Sequence, residues 1–130
     1  MNTRHNPDTI ASPFSRYSHG VQAPASARWL HVSGQVGNRP DGGIPVGVGA
    51  QTACAFDNIK AILGDAGMDM NDVVKLTVYL TRDDAEAISA YREARDKAQG
   101  DALPASTLVV VTALAHPDWL VEIEAVAARS

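Results

Sequence analysis

A single cysteine, Cys54, occurs among 130 residues, so no disulfide can close within the chain. Stability must come from a packed core, and this cysteine usage fits a reducing, cytoplasmic setting. Cys54 stands in an Ala-rich patch of a predicted helix and reads as a small buried hydrophobe. Aromatic residues are scarce, at 5%, which leaves Leu, Val, Ile and Ala to fill the interior. No run approaches the ~20 apolar residues that cross a bilayer. Met1 to Ser12 lacks the apolar stretch of a secretion signal. Lysine and arginine never cluster, and the net charge is -4. A sequence-independent grip on nucleic acid needs clustered cations to displace counterions, so that mode of binding is disfavoured. No His/Cys/Asp spacing resembles a metal site, no glycine-rich loop could cradle a phosphate, and no internal repeat is present.

What is there is an ordinary globular composition: 45% hydrophobic and 20% charged residues, enough for one domain with one core. Residues 1–13 are polar, carry Pro7 and Pro13, and read as an extended lead-in to a single domain over 14–130. A short strand is expected over Ser15–Val21 and a longer one over Trp29–Val36, with Leu30 and Val32 on one face and Trp29, His31 and Ser33 on the other. The run Asn38 to Gly43 is a dense turn signal. From Gly49 to Ala66 the apolar period lengthens to that of a helix, with Gly67 as its stop. Val73–Leu80 alternates as a strand, with Val74, Leu76, Val78 and Leu80 on one face and Lys75, Thr77 and Tyr79 on the other. Thr81 or Asp83 is expected to cap a second helix reaching Gln99, with a stripe of Ala87/Ile88, Tyr91, Ala94 and Ala98. Further strands are expected over Thr107–Thr112 and Leu120–Ala127. In the last one Val121, Ile123, Ala125 and Ala127 face one way, and Leu120, Glu122, Glu124 and Val126 the other.

Two amphipathic helices can cover only one face of one sheet, which makes an α+β sandwich. The uncovered face then carries Glu122, Glu124, Leu120 and Val126 with Tyr79 and Trp29. That mixture is too apolar to stay in water as a continuous patch, so self-association is expected.

Several segments, in order and at compatible spacing, resemble the RidA (YjgF) family: Tyr17 to Val21, Val32-Ser33-Gly34-Gln35-Val36-Gly37, Phe56 to Leu63, Asp72 to Leu80, Pro104-Ala105, and Val121 to Ala127. The resemblance implies a chorismate-mutase-like subunit, two helices on one face of a mixed sheet, assembled as a homotrimer around a central barrel with ligand clefts between subunits. It implies no cofactor and no metal. It also implies a small-molecule substrate, an imine or enamine to which water adds with release of ammonia. Carried onto this chain, the family's site falls on Tyr17, Ser33, Gly34 and Glu122. The arginine that grips a substrate carboxylate falls on Ser106, and a frequent cysteine falls on Leu108.

Glu122 is then the candidate general base, or else a strand carboxylate paired with a cation at the subunit boundary. Glu124, on the same face, reads as structural or as sharing a proton with it. Tyr17 offers a hydroxyl to a developing oxyanion, or is an interface tyrosine. His19 is a candidate substrate contact, or a packed or solvent-facing histidine. Ser106 either hydrogen-bonds a ligand or merely occupies the arginine's place. Charge-assisted hydrogen bonds contribute on the order of 1.5–3 kcal/mol each. Losing a bidentate pair is therefore expected to weaken binding of a simple imino acid by roughly 10²–10⁴-fold. Arg16, Arg28 and Arg39 are the cations considered as replacements. Two other classes of function stand beside the enzyme: a non-catalytic small-molecule binding protein, and an endoribonuclease or translation inhibitor of the L-PSP type, which the acidic balance disfavours.

Overall fold

A computed structural model describes all 130 residues. Its elements run β1 (Thr3–His5), β2 (Gly20–Gln22), β3 (Arg28–Val36), α1 (Val48–Asp65), a short 3-10 turn (Met70–Asp72), β4 (Val73–Leu80), α2 (Ala85–Gln99), β5 (Ala105–Val110) and β6 (Val121–Arg129). The main sheet has the order β3-β6-β4-β5. β6 runs antiparallel to both neighbours, and β4 and β5 are parallel, joined by the α2 crossover. Both helices lie on one face, as the alternation of Leu76, Val78 and Leu80 with Lys75, Thr77 and Tyr79 requires. Leu76, Val78, Leu80, Val121, Ile123 and Ala127 are fully buried against Phe56, Ile59 and Leu63 of α1 and Tyr91 of α2.

α1 ends where its glycine predicts. Gly67 takes φ +72°, Met68 N–H reaches back to Leu63 O at 2.8 Å, and Gly67 N–H to Gly64 O at 3.0 Å, a Schellman closure. α2 starts differently from the expectation. Asp84, not Thr81 or Asp83, is the cap, its carboxylate accepting the Ala87 N–H at 3.1 Å while Arg82 pairs with it at 3.0 Å. Desolvation pushes the Asp84 carboxyl up, but the Ala87 N–H, its own backbone N–H and Arg82 outweigh this and hold it below the ordinary aspartate value.

The other departures have local causes. The expected strand over 15–21 is reduced to Gly20–Gln22, preceded by a single parallel bridge from Ser18 to Ala105. The lead-in includes a strand, β1, that pairs with β2, and the Asn2 amide reaches Asp72 O and Ala128 O. β4 carries a bulge between Val73 and Lys75, which puts Val73 in the core cluster and leaves Val74 buried outside it. β5 begins two residues earlier than expected, at Ala105, and ends at Val110. Leu120 precedes β6 and packs against the core instead of the open face. The buried face of α2 is Ala87, Tyr91, Arg95 and Gln99, turned from the expected Ala94/Ala98 stripe because the segment around Arg16 covers it. Gln99 Nε2 donates to Arg16 O at 2.8 Å, and the Arg16 guanidinium donates to Gly100 O.

Candidate functional site

The open face gathers the acidic residues. Glu122 lies on β6 opposite Tyr79 of β4 and Val36 of β3. Glu124 accepts the Tyr79 hydroxyl at 2.7 Å. That hydrogen bond, then desolvation, then the charges of Glu124 and Glu122 raise the Tyr79 hydroxyl above its ordinary value. Neither carboxylate has an ion-pair partner within the chain. On β3 the register slips by one, so that Ser33 and Gly34 together face the single residue Glu124. The bulge turns the empty side of Gly34 toward Glu122. A Cβ at position 34 would lie 1.9 Å from Glu122 Oε2. The carboxylate therefore occupies the space that any other residue at position 34 would fill.

A second group gathers at the opposite edge of the sheet, on the helix side. Ser18, 1% exposed, pins its segment to β5: its N–H donates to Pro104 O at 3.1 Å and its hydroxyl to Leu103 O at 2.6 Å. This carries Tyr17 to the β5 margin. Ser106 pairs in register with core-facing Leu76, and Leu108 with Val78, so both point toward the helices. Between β5, the 14–17 segment and α2 lies a cavity of about 180 Å³ that Tyr17, Ser106, Tyr91, Arg92 and Arg95 help to line. Tyr17 accepts the Phe14 N–H at 3.2 Å through its hydroxyl oxygen. Arg95 is almost fully buried, lies over the Tyr91 ring at 5.8 Å, and pairs with Asp96 at 2.9 Å. The Tyr91 hydroxyl is buried without a hydrogen-bond partner, and desolvation pushes it far above its ordinary value. A larger groove of about 450 Å³ between α1 and α2 mixes Asp57 and Glu93 with Lys60 and Lys97 and includes none of these residues.

The protein-family model described as Endoribonuclease L-PSP matches residues 8–129. The chain is a member of the RidA/YjgF (endoribonuclease L-PSP) family. Among its relatives, a RutC family protein of Pyrococcus horikoshii is 36% identical over 122 residues, covering 92% of each chain. The 2-iminobutanoate/2-iminopropanoate deaminase of Escherichia coli K12 is 35% identical over 111 residues, 84% of this chain and 86% of that one. Among solved structures, the Rid family protein YyfB of Yersinia pestis superposes with a TM-score of 0.85 at 31% identity, covering 98% of both chains. The fold is thus the RidA fold over its whole length.

Within this one RidA-family chain the expected site residues fall into two sets. Tyr17 and Ser106 line one cavity on the helix side of β5. Ser33, Gly34 and Glu122 meet on the open face where β3 and β6 pair. A sheet separates the sets, and β3 and β5 are its two outer strands. His19 is exposed and joins neither set; its Nε2 donates to Ala11 O at 2.6 Å and its ring stands edge-on to Tyr17 at 5.9 Å. Of the candidate cations, Arg16 is held by Gly100, and neither it, Arg28 nor Arg39 lines the Ser106 cavity. Arg92 and Arg95 do, and sequence reasoning missed them, because charges on a helix are read as its solvent face. The one usable signal was the i, i+4 spacing of Arg95 between Tyr91 and Gln99.

Proposed function

We propose that this chain hydrolyses an imine or enamine in a cleft shared by neighbouring subunits of a cytoplasmic homotrimer. The separation of the two residue sets carries this reading. Tyr17 with Ser106, and Ser33-Gly34 with Glu122, lie on opposite faces of the sheet and cannot close on one small molecule within a subunit. They can do so if the open face of one copy meets the β5 edge of another. The open face also exposes Trp29 and Val109, 56% and 40% accessible, which favours burial against a copy.

In the proposed reaction Glu122 takes a proton from water as its oxygen bonds to the imine carbon, and the nitrogen is protonated as the C=N π bond breaks. The resulting carbinolamine collapses to a carbonyl and ammonia, so imine plus water gives ketone plus ammonia. Tyr17 donates its free O–H to the developing oxygen charge, and the backbone at Ser33-Gly34 holds the substrate. The names of the deaminating relatives support the reaction class. Ser106 offers no guanidinium, so 2-aminoacrylate and its imine tautomer are poor substrates in this reading.

Ammonia release from freshly generated imines tests it. Glu122→Ala is expected to lose about 10²–10⁴-fold in rate, and Ser106→Arg to gain on small imino acids. Co-refolding Glu122→Ala with Tyr17→Phe is expected to restore part of the activity, because some clefts then combine two intact halves. No recovery, or a wild-type protein that sediments as a monomer, would place the site within one chain and end this reading.

A further inference from the structure

We propose that Tyr79 sorts the two open-face carboxylates: it holds Glu124 as a fixed anion, so that the one proton the pair can share resides on Glu122, beside Gly34. Tyr79 is then a positioning residue that acts on Glu122 through Glu124. This deepens the imine-hydrolase reading and rests on it for the chemistry, though not for where the proton resides.

Glu122 and Glu124 stand two residues apart on β6 and share its open face, about 7 Å apart along the strand. Carboxylates so placed interact, and the groups around each decide which keeps the last proton. Those groups are unequally distributed. Tyr79 is in register with Glu122, yet its hydroxyl reaches diagonally to Glu124 Oε1 at 2.7 Å. An ionised carboxylate only accepts, so a hydroxyl donor favours that form. The other titratable side chains of the face stand at the same end. Lys75 of β4 and His31 of β3 are both in register with Val126, one same-face step from Glu124 and two from Glu122. Lys75 is turned toward β5, where it donates to Thr107 Oγ1 at 2.6 Å, which leaves Tyr79 as the direct donor to Glu124.

Glu122 has apolar or empty surroundings instead. Val36 is its register partner on β3, Leu120 precedes it, and Gly34 offers no side chain. The opposite face of β6 is apolar core and brings no charge to either carboxylate. The bond to Glu124, then desolvation, then the charges of Glu124 and Glu122 raise the Tyr79 hydroxyl above its ordinary value. It therefore stays a neutral donor wherever the glutamates titrate. In the reaction this divides the work. Glu122 takes a proton from the attacking water, holds it, and returns it to the nitrogen as the C–N bond breaks, ending as the anion again. Glu124 keeps its charge throughout, and that fixed charge favours the proton on Glu122.

NMR titration of the glutamate carboxyl carbons in the intact oligomer tests the order without turnover, with Glu122→Gln and Glu124→Gln assigning the signals. Glu124 is expected to lose its proton at lower pH than Glu122. Tyr79→Phe is expected to narrow the gap by about one pH unit, the effect of one hydrogen bond to a charged group. Glu124→Gln keeps an acceptor for Tyr79 but removes the charge, and is expected to move the Glu122 titration toward acid by about half a unit or more. Glu124 losing its proton last, or a gap that Tyr79→Phe leaves unchanged, overturns the sorting. If Tyr79→Phe fails to fold, Glu124→Gln carries the test, and a Glu122 titration that stays in place overturns it. The acid limb of kcat/KM for ammonia release is expected to follow the Glu122 titration in each variant. The expected order in a protein that releases no ammonia would keep the sorting and remove the hydrolase reading. Ammonia release with the order reversed would remove the sorting and keep the hydrolase, so the two fail separately.

Discussion

Gly34 and Ser106 occupy opposite margins of one sheet, and each makes room for a neighbour in a different way. At Gly34 the missing side chain is filled at once: the Glu122 carboxylate lies where a Cβ would stand, 1.9 Å from it. At Ser106 the small side chain leaves a cavity, with the buried residues Arg95 and Tyr91 at its wall. The first margin is a finished geometry made by a backbone bulge, and the second is an open one made by helix packing. A small residue in a sheet can therefore serve to position a group that lies elsewhere in the chain.

Substitutions can break this contrast. Gly34→Ala is expected to have the largest effect on function, a loss of ammonia release on the order of 10²-fold, approaching that of Glu122→Ala. The three atoms nearest the new methyl, Oε2, Cδ and Cγ, all belong to the flexible Glu122 side chain, which can swing aside, so melting is expected to shift by no more than a few degrees. Retained activity would mean that the carboxylate works from another position. Gly37→Ala sharpens the point from the other side. There a Cβ would lie 2.8 Å from Gln51 Cβ and 2.9 Å from its Cα, inside helix α1. Gln51 is buried and ties three chain segments together, donating to Pro45 O and Asp118 O and accepting the Leu120 N–H. Gly37→Ala is expected to cost roughly 1–3 kcal/mol of stability by overpacking, read by denaturant unfolding, with activity per folded molecule largely kept.

The smallest effect lies away from both margins, at the α2 cap. Because the folded Asp84 carboxyl sits below its ordinary value, its contribution is present above the usual aspartate range and is lost as pH falls through the lowered value. Asp84→Ala is expected to lower the melting temperature by a few degrees at neutral pH and by less in acid. Asp84→Asn keeps a capping oxygen and should flatten that pH dependence. An unchanged slope in Asp84→Asn would assign the acid sensitivity to other carboxylates.

The sheet and helices were legible because alternation and the helical period were strong in Val73–Leu80, Val121–Ala127 and 49–66. What escaped was non-local. Thr3–His5 has no apolar alternation and is a strand only because Gly20–Gln22 pairs with it. Arg95 and Gln99 are buried only because a segment some eighty residues earlier folds over them, as the Gln99–Arg16 hydrogen bond shows. The cap was ambiguous because Thr81, Asp83 and Asp84 are all competent N-caps, and helix phase alone picks Asp84. Glu122 and Gly34 were named from sequence, but their steric dependence was not, since the bulge that brings them together has no signature beyond the glycine.

The same bulge has a consequence for solubility. β3 is an outer strand of nine residues, and a flat outer strand of that length is a template on which further chains can stack. The extra residue at Ser33-Gly34 kinks it and breaks the regular ladder midway. The isolated chain is thereby a poorer template for fibril-like growth along that border.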